Sequence, residues 1–421
     1  MTQRIGILAG GGGLPVAIAE SVLGHGGSVH IVAIDGEAGS EVRRFPHTIV
    51  NWGQIGRMVA TLKREGGGQM VIAGAVRRPD LLRIRPDLGF VRGVARIMQL
   101  VVAGGDDSVL RLVVRFFEEQ GLHVLGVDDV APDLVLGAGP LGRIAPDEGA
   151  LADARRGFAV TRALGDLDVG QAVAVRGGRI IAIEGAEGTD AMLRRVAAGT
   201  PASGRFSGAV TKAPKPGQEM RVDMPAIGPR TVELAAAAGI GTIAVEAGAV
   251  LALDRPLLVE TADAAGCSVT GLVREPVQPV AAVPVAQIRI VGRCSPEQRV
   301  RDDIGIGLEV ERRLRPFGAG EAAVVARRHV LAVAAGEGIE GVLARAGGLR
   351  QWGDGRRSAR RGVLVCRAEA GEPREILRLV CDHRVQGVVA IASGGDAPAW
   401  RDAARIADAS GTFLGIAEPR P

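Results

Sequence analysis

In the first third of the chain, short apolar runs alternate with stretches whose apolar positions recur every three or four residues. IGILAG, SVHIVAID, QMVIAGAV and HVLGV read as strands, and residues 14–25, 55–64, 90–103 and 108–120 read as helices between them. Strands this apolar need cover on both faces. The alternation therefore predicts an α/β fold whose first domain, residues 1–135, is a Rossmann-like parallel sheet flanked by helices.

The pattern restarts in a second α/β domain, residues 140–275, with strands in QAVAVRGGRIIAIE and GTIAVEAGAVLAL and helices over 147–164 and 231–238. EPVQPVAAVPV, residues 275–285, is rich in Pro, Ala and Val and reads as a linker. Residues 286–421 read as a third domain, a diverged copy of the second. Sliding 142–196 forward by 150 positions aligns them without a gap: Gly142-Arg143 and Pro146 meet Gly292-Arg293 and Pro296, Gly170 meets Gly320, and Glu187-Gly188 meets Glu337-Gly338. Further on, IGTIAVEAG corresponds to VQGVVAIASGG and ADAAG to ADASG. A common fold follows from this, but common chemistry does not.

Composition narrows the class. A chain that is 47% hydrophobic and 23% charged is globular rather than disordered. The net charge of +4 raises the question of nucleic acid, but only 3% of residues are aromatic and the arginines are spread along the chain. That excludes the basic, aromatic-studded surface such a partner requires. Denser arginine runs at 299–315 and 350–361 read as solvated faces, with weak attraction to anionic lipid as the other reading. Cys267, Cys294, Cys366 and Cys381 have neither CxxC spacing nor histidines placed as ligands, and are expected to be buried thiols. No signal peptide or membrane span is visible, so a cytoplasmic protein is expected.

Candidate chemistry begins at Gly10, Gly11, Gly12, Gly13, Leu14 and Pro15, where a strand turns into a helix. Backbone N–H groups at such a turn can approach a phosphate while the helix dipole favours the anion. Gly74 and Arg78 lie in GAVRRPD, and Asp106 and Asp107 in GDDSVLR. Arg78 could fork onto phosphate, and the two aspartates could serve a sugar hydroxyl or a cation, or else cap a helix. In EGAEGTD, residues 184–190, three acids and Thr189 stand at a glycine-flexible helix entrance and could hold a hard cation, with an N-cap as the alternative.

The loop TKAPKPGQEMRVDMP, residues 211–225, is more distinctive. The chain has three lysines, Lys63, Lys212 and Lys215, and two of them fall here. A compact ammonium can neutralise phosphate in a tight site, and proline on both sides of Lys215 stiffens its backbone. Asp223 could ligate a metal or orient water, and an ion pair with Arg221 is the structural alternative.

Taken in order, GGGxLP, GxVxRPD, GDDxxLR, DxGQ, EGTDAMLRRV and KAPKPxQExRVDxPxIG resemble the LpxI pyrophosphatases over roughly residues 4–273. The resemblance implies Mg²⁺-dependent hydrolysis of UDP-2,3-diacylglucosamine to UMP and 2,3-diacylglucosamine 1-phosphate on the cytoplasmic side of the inner membrane of Gram-negative bacteria, in lipid A synthesis. It also implies two α/β domains enclosing the substrate and a catalytic Asp223. On that basis Lys212 and Lys215 are expected to act on the pyrophosphate. Gln171, Thr189, Asp190, Gln218 and Arg221 join the glycine turn, Gly74, Arg78, Asp106 and Asp107 in binding substrate, and Asp223, Glu187 and Asp190 are the expected metal ligands. Met192, Leu193 and Val196 are candidates for an acyl-chain groove. Peripheral membrane contact and homo-oligomerisation are both compatible with the sequence.

The third domain departs from the pattern. EGTDAMLRRV has become EGIEGVLARA, and the lysine loop has become GVLVCRAEAGEPRE, with no lysine and no counterpart of RVDMPAIG. That copy is expected to be inert. The rival readings are a sugar nucleotidyltransferase, disfavoured because Leu14-Pro15 follows the glycines, and a non-catalytic UDP-sugar-binding module.

Overall fold

The computed structural model describes residues 3–76, 106–165, 167–199, 206–274, 288–349, 362–368, 373–392 and 398–418. Arg78, the helix expected over 90–103, the 275–285 linker and the arginine run at 350–361 lie outside them.

The first unit is the expected parallel sheet. Strands β1 (Arg4–Ala9), β2 (Ser28–Ile34), β3 (His47–Val50), β4 (Gln69–Ala73) and β5 (His123–Val124) run in the order β3-β2-β1-β4-β5, all parallel. Strand β3 was not anticipated: HTIV is half polar and only four residues long, so it lacks the apolar run of an interior strand, as befits an edge. Ile5, Ile7 and Ala9 face one buried cluster and Leu8 the other, as alternation in a sheet covered on both sides requires. The helix Leu14–Gly24 leaves the glycine turn with Pro15 in its first turn, where the missing N–H costs nothing.

In the second unit β6 (Gly139–Leu141), β7 (Ala172–Arg176), β8 (Arg179–Ile183), β9 (Ala209–Lys212), β11 (Thr242–Glu246) and β13 (Ser268–Leu272) form one mixed sheet in the order β6-β13-β11-β9-β7-β8. A separate ribbon pairs β10 (Ala226–Ile227) with β12 (Leu251–Ala252). Helix Glu148–Leu164 begins where expected, because the Asp147 carboxylate accepts the Ala150 N–H at 2.7 Å.

The third unit repeats this sheet with β14 (Ile288–Val291), β15 (Ala322–Ala326), β16 (His329–Val333), β17 (Val363–Arg367), β18 (Gly387–Ile391) and β19 (Phe413–Ala417) in the equivalent order β14-β19-β18-β17-β15-β16. The likeness reaches single residues. The register shift between Ala174 and Val175 recurs between Val324 and Val325. Asp153 accepts the turn N–H groups of Gly177 and Gly178, and Asp303 those of Arg327 and Arg328.

The second and third units share one buried cluster, in which Val160, Val173 and Ile183 pack with Val310, Ala323 and Val333. Their long helices, Glu148–Leu164 and Gln298–Leu314, are in contact. The 299–315 arginines are therefore not simply a solvated face: Arg313 donates to the carbonyls of Ala163 and Leu164, and Arg315 and Arg367 close on the buried Glu311. All four cysteines are free, Cys267 and Cys366 buried as expected and Cys294 and Cys381 only half-buried. Among the described residues no helix is long and apolar enough to cross a membrane.

Candidate active site

The glycine turn uses part of its own donor capacity. Gly10 N–H donates to Ala73 O at 2.8 Å and Gly11 N–H to Ala75 O at 2.6 Å, which sews the turn to the loop after β4. A Cβ on Gly74 (φ +93) would stand 2.5 Å from Gly11 O, so both loops need glycine in order to approach. Gly10, Gly11 and Gly74 are thus structural neighbours, and the first two N–H groups are not available to a phosphate. Gly12 and Gly13 have open space where a side chain would be, directly before Leu14 and Pro15 at the helix start. Of this turn, Gly12, Gly13 and the helix N-terminus are the parts left open. Asp106 and Asp107 open the helix Asp106–Glu119, as both readings of them require.

The lysine loop is ordered by side-chain hydrogen bonds. Gln218 is its hub: its Oε1 accepts the Lys215 N–H at 2.8 Å, and its Nε2 donates to Asp223 O and Asp223 Oδ2, each at 2.6 Å. Lys215 Nζ reaches Asp168 Oδ1 at 2.5 Å. Arg221 does not pair with Asp223. Its guanidinium forks onto Glu219 at 2.7 and 2.9 Å and reaches Glu118 of the first unit at 2.8 Å, so it pins the loop and leaves Asp223 to Gln218. Around Asp223, Val222 and Met224 pack into the first unit's two cores, and the Met224 core is also the one Leu14 of the glycine turn packs against. Arg111 of the first unit donates to Gly217 O at 3.4 Å. The loop of the second unit therefore lies against the unit that carries the glycine turn.

Behind the loop sits a pair of opposite charges, Glu184 and Lys212, that the sequence offered separately and did not pair. Glu184 is 6% exposed, and its carboxylate accepts the Gln171 N–H at 3.1 Å and the Thr189 hydroxyl at 3.3 Å. Burial raises the Glu184 carboxyl above its ordinary range, against the opposing charge of Lys212. Lys212 donates to Ala226 O at 2.9 Å; burial lowers its ammonium below the usual lysine range, while Glu184, Asp190 and Asp223 pull it back up. Gly170 has no alternative here, since a Cβ would lie 2.5 Å from Glu184 Cβ. Gln171 Oε1 is buried with no hydrogen-bond partner among the described residues.

The third unit carries other residues at the positions of this constellation. In β7 and β9 Lys212 stands opposite Ala172, and in β15 and β17 Cys366 stands opposite Ala322. Position 184 corresponds to Ala334, 189 to Ile339 and 190 to Glu340. Both members of the buried charge pair are replaced together, and burial pushes the Cys366 thiol up to about 12. Comparison of the two copies within the sequence would have linked Glu184 to Lys212 in this way.

Two expectations change. Glu187 does not face the loop: its Oε1 accepts Arg195 at 3.1 Å and Arg345 of the third unit at 2.8 Å. A carboxylate held by two guanidinium groups is a poor ligand for a cation. Met192, Leu193 and Val196 line no groove, because they are buried in the core of the second unit, on the inward face of the helix Thr189–Gly199. Asp190 is half exposed and pairs with Arg230 at 2.8 Å and Arg194 at 3.5 Å. Among the described residues no three His, Cys, Asp or Glu side chains stand together as a metal cage.

Comparison with known proteins agrees with this architecture. The family model for the LpxI N-terminal domain matches residues 4–134, and that for the LpxI C-terminal domain matches 137–270 and again 288–375, so the third unit is a second copy of that domain. The UDP-2,3-diacylglucosamine pyrophosphatase LpxI of Caulobacter vibrioides is 38% identical over 276 residues, covering 64% of this chain and 98% of that protein. With both of its characteristic domains matched over more than half its length, the chain belongs to the LpxI family.

Proposed function

We propose that this chain hydrolyses the pyrophosphate of UDP-2,3-diacylglucosamine, with Mg²⁺, to UMP and 2,3-diacylglucosamine 1-phosphate for lipid A synthesis at the cytoplasmic face of the inner membrane. The observation that carries the reading is the seating of the Lys212–Asp223 loop on the glycine-turn unit through Val222, Met224 and the Arg221–Glu118 pair. An anhydride between the two elements meets N–H donors from one side and ammonium groups from the other.

The expected roles follow from charge. The Gly12–Gly13 turn and the helix N-terminus receive phosphate oxygens. Lys212 and Lys215 offset the negative charge that gathers on phosphorus oxygens as water attacks and the bridging oxygen leaves. Held by Gln218, Asp223 presents a carboxylate that orients the water. Mg²⁺ typically takes one or two carboxylates and completes its shell with phosphate and water. Asp223, held by the Gln218 amide, fits that demand best, whereas Glu187 is held by Arg195 and Arg345 and Asp190 would have to give up Arg230 and Arg194. The ion would supply charge neutralisation at the pyrophosphate.

The test is release of UMP from UDP-2,3-diacylglucosamine by the purified chain, with Mg²⁺ and with excess EDTA. Mg²⁺-dependent UMP formation is expected. Binding without UMP would replace this reading with a UDP-sugar-binding module, and undiminished turnover in EDTA would remove the metal.

A further inference from the structure

We infer that the third unit supplies a positioning residue to the catalytic loop: His329, acting through Asp168, holds Lys215 in place. The inference rests on the proposed role of Lys215 in the pyrophosphate reaction. His329 Nδ1 lies 3.8 Å from Asp168 Oδ2, and the other oxygen of that carboxylate accepts Lys215 Nζ at 2.5 Å. A single carboxylate thus joins the third unit to the lysine loop.

Two further observations concern the segment that carries Asp168. Arg313 of the third unit donates to Ala163 O at 3.3 Å and to Leu164 O at 3.1 Å, gripping the chain just before the turn. Gly165 follows at φ +53, a backbone conformation that favours glycine, with Arg313 Nη1 2.8 Å from where a Cβ would stand. Asp168 adopts φ +50, in the left-handed region that disfavours side chains. Its repeat counterpart in the third unit is Gly318, at φ +69. The same turn is therefore built with glycine where there is no lysine to hold, and with a strained aspartate where there is one. Backbone strain kept at one copy only points to a use for the side chain.

His329 follows the turn residues Arg327 and Arg328 and opens β16. Together these contacts make the inert copy a scaffold that reaches the working one at Asp168. The Caulobacter vibrioides relative is matched over 98% of its length by 276 residues, so a device that depends on the third unit belongs to chains built like this one.

The test uses the full chain with His329→Leu, His329→Gln and Asp168→Asn, each alone and combined with Lys215→Ala. His329→Leu is expected to lower kcat about tenfold with KM within about twofold, since misplacing a charge at the reacting centre costs rate rather than affinity. His329→Gln, which keeps a polar contact, is expected to restore part of that loss. In the Lys215→Ala background neither His329→Leu nor Asp168→Asn should have any further effect. Hydrogen exchange supplies a readout independent of turnover: amides of residues 213–219 should exchange faster in His329→Leu while those of β1 and β4 do not. Normal turnover by His329→Leu, a full additional loss in the Lys215→Ala background, or unchanged exchange over 213–219 would each overturn the inference. An inactive wild-type chain would remove the proposed reaction, and the exchange result alone would then decide whether His329 orders the loop.

Discussion

Arg345 Nη1 donates to Glu187 Oε1 at 2.8 Å, joining residues 158 positions apart across the boundary between the second and third units. The repeat mate of this contact is also present, because Arg195 reaches Glu337 at 3.4 Å. Each arginine binds the acid of its own unit as well: Arg195 Nη2 meets Glu187 at 3.1 Å and Arg345 Nη2 meets Glu337 at 2.5 Å. Residue i of one copy touches residue j of the other and the reverse, the pattern of a two-fold interface written into one chain. Arg345 and Glu187 are 9% and 8% exposed, so removing Arg345 leaves Glu187 and Glu337 to share Arg195 away from water. Arg345→Ala is expected to cost about 3 kcal/mol, measured by urea unfolding of the full chain. A loss below about 1 kcal/mol would put the pair on a par with surface ion pairs.

Asp223 has its carboxylate held by Gln218 alone among the side chains named around it. Asp223→Ala is expected to keep substrate binding and to lose turnover by about 10³-fold or more, as removal of a group acting only at the reacting centre does. Binding by calorimetry and UMP release measured on one preparation separate the two effects. Near-normal turnover would take Asp223 out of the mechanism.

Glu184 and Lys212 are expected to be coupled. Each alone, as Glu184→Ala or Lys212→Cys, leaves its partner in a water-poor site and should cost about 2–3 kcal/mol. The double variant carries the residues that stand at these positions in the third unit, Ala334 and Cys366. It should be more stable than the sum of the singles predicts by about 1 kcal/mol or more, and all three should lose activity. Thermal melts and UMP release measure this, and strict additivity would argue against an electrostatic link.

Asp168 makes stability depend on acid. Burial works to raise its carboxyl, but nearby His329 and the hydrogen bond and charge of Lys215 outweigh that and hold it below its ordinary value of 3.8. A depressed folded-state value means a contribution fully present above the unfolded value and lost as pH falls through the folded one. Asp168→Asn should therefore be less stable than wild type at neutral pH and converge with it toward the acid end of the carboxylate range. A gap that stays constant with pH would show that the charge is not what stabilises.

What the residues alone determined is local or repetitive. Apolar periodicity records which faces must be buried, so the parallel sheet of the first unit, the helix starting after Asp147 and the 150-residue repeat could all be read before any coordinates. The ordered motifs placed the lysine loop and the glycine turn in one family for the same reason, since each motif is a contiguous piece of chain. Tertiary structure alone decided which distant charges meet. Glu187 stands among cation-friendly residues in sequence, yet packing of the third unit delivers Arg345 to it. Arg221 is two residues from Asp223 and turns instead to Glu118, 103 positions away. Asp168 enters the sequence reading only as the first residue of DxGQ, and the fold alone brings two other segments onto its two oxygens, Lys215 of its own unit and His329 of the copy. Coulomb energy and desolvation depend on distance and burial in space, and spacing along the chain fixes neither once sheets from three units pack together.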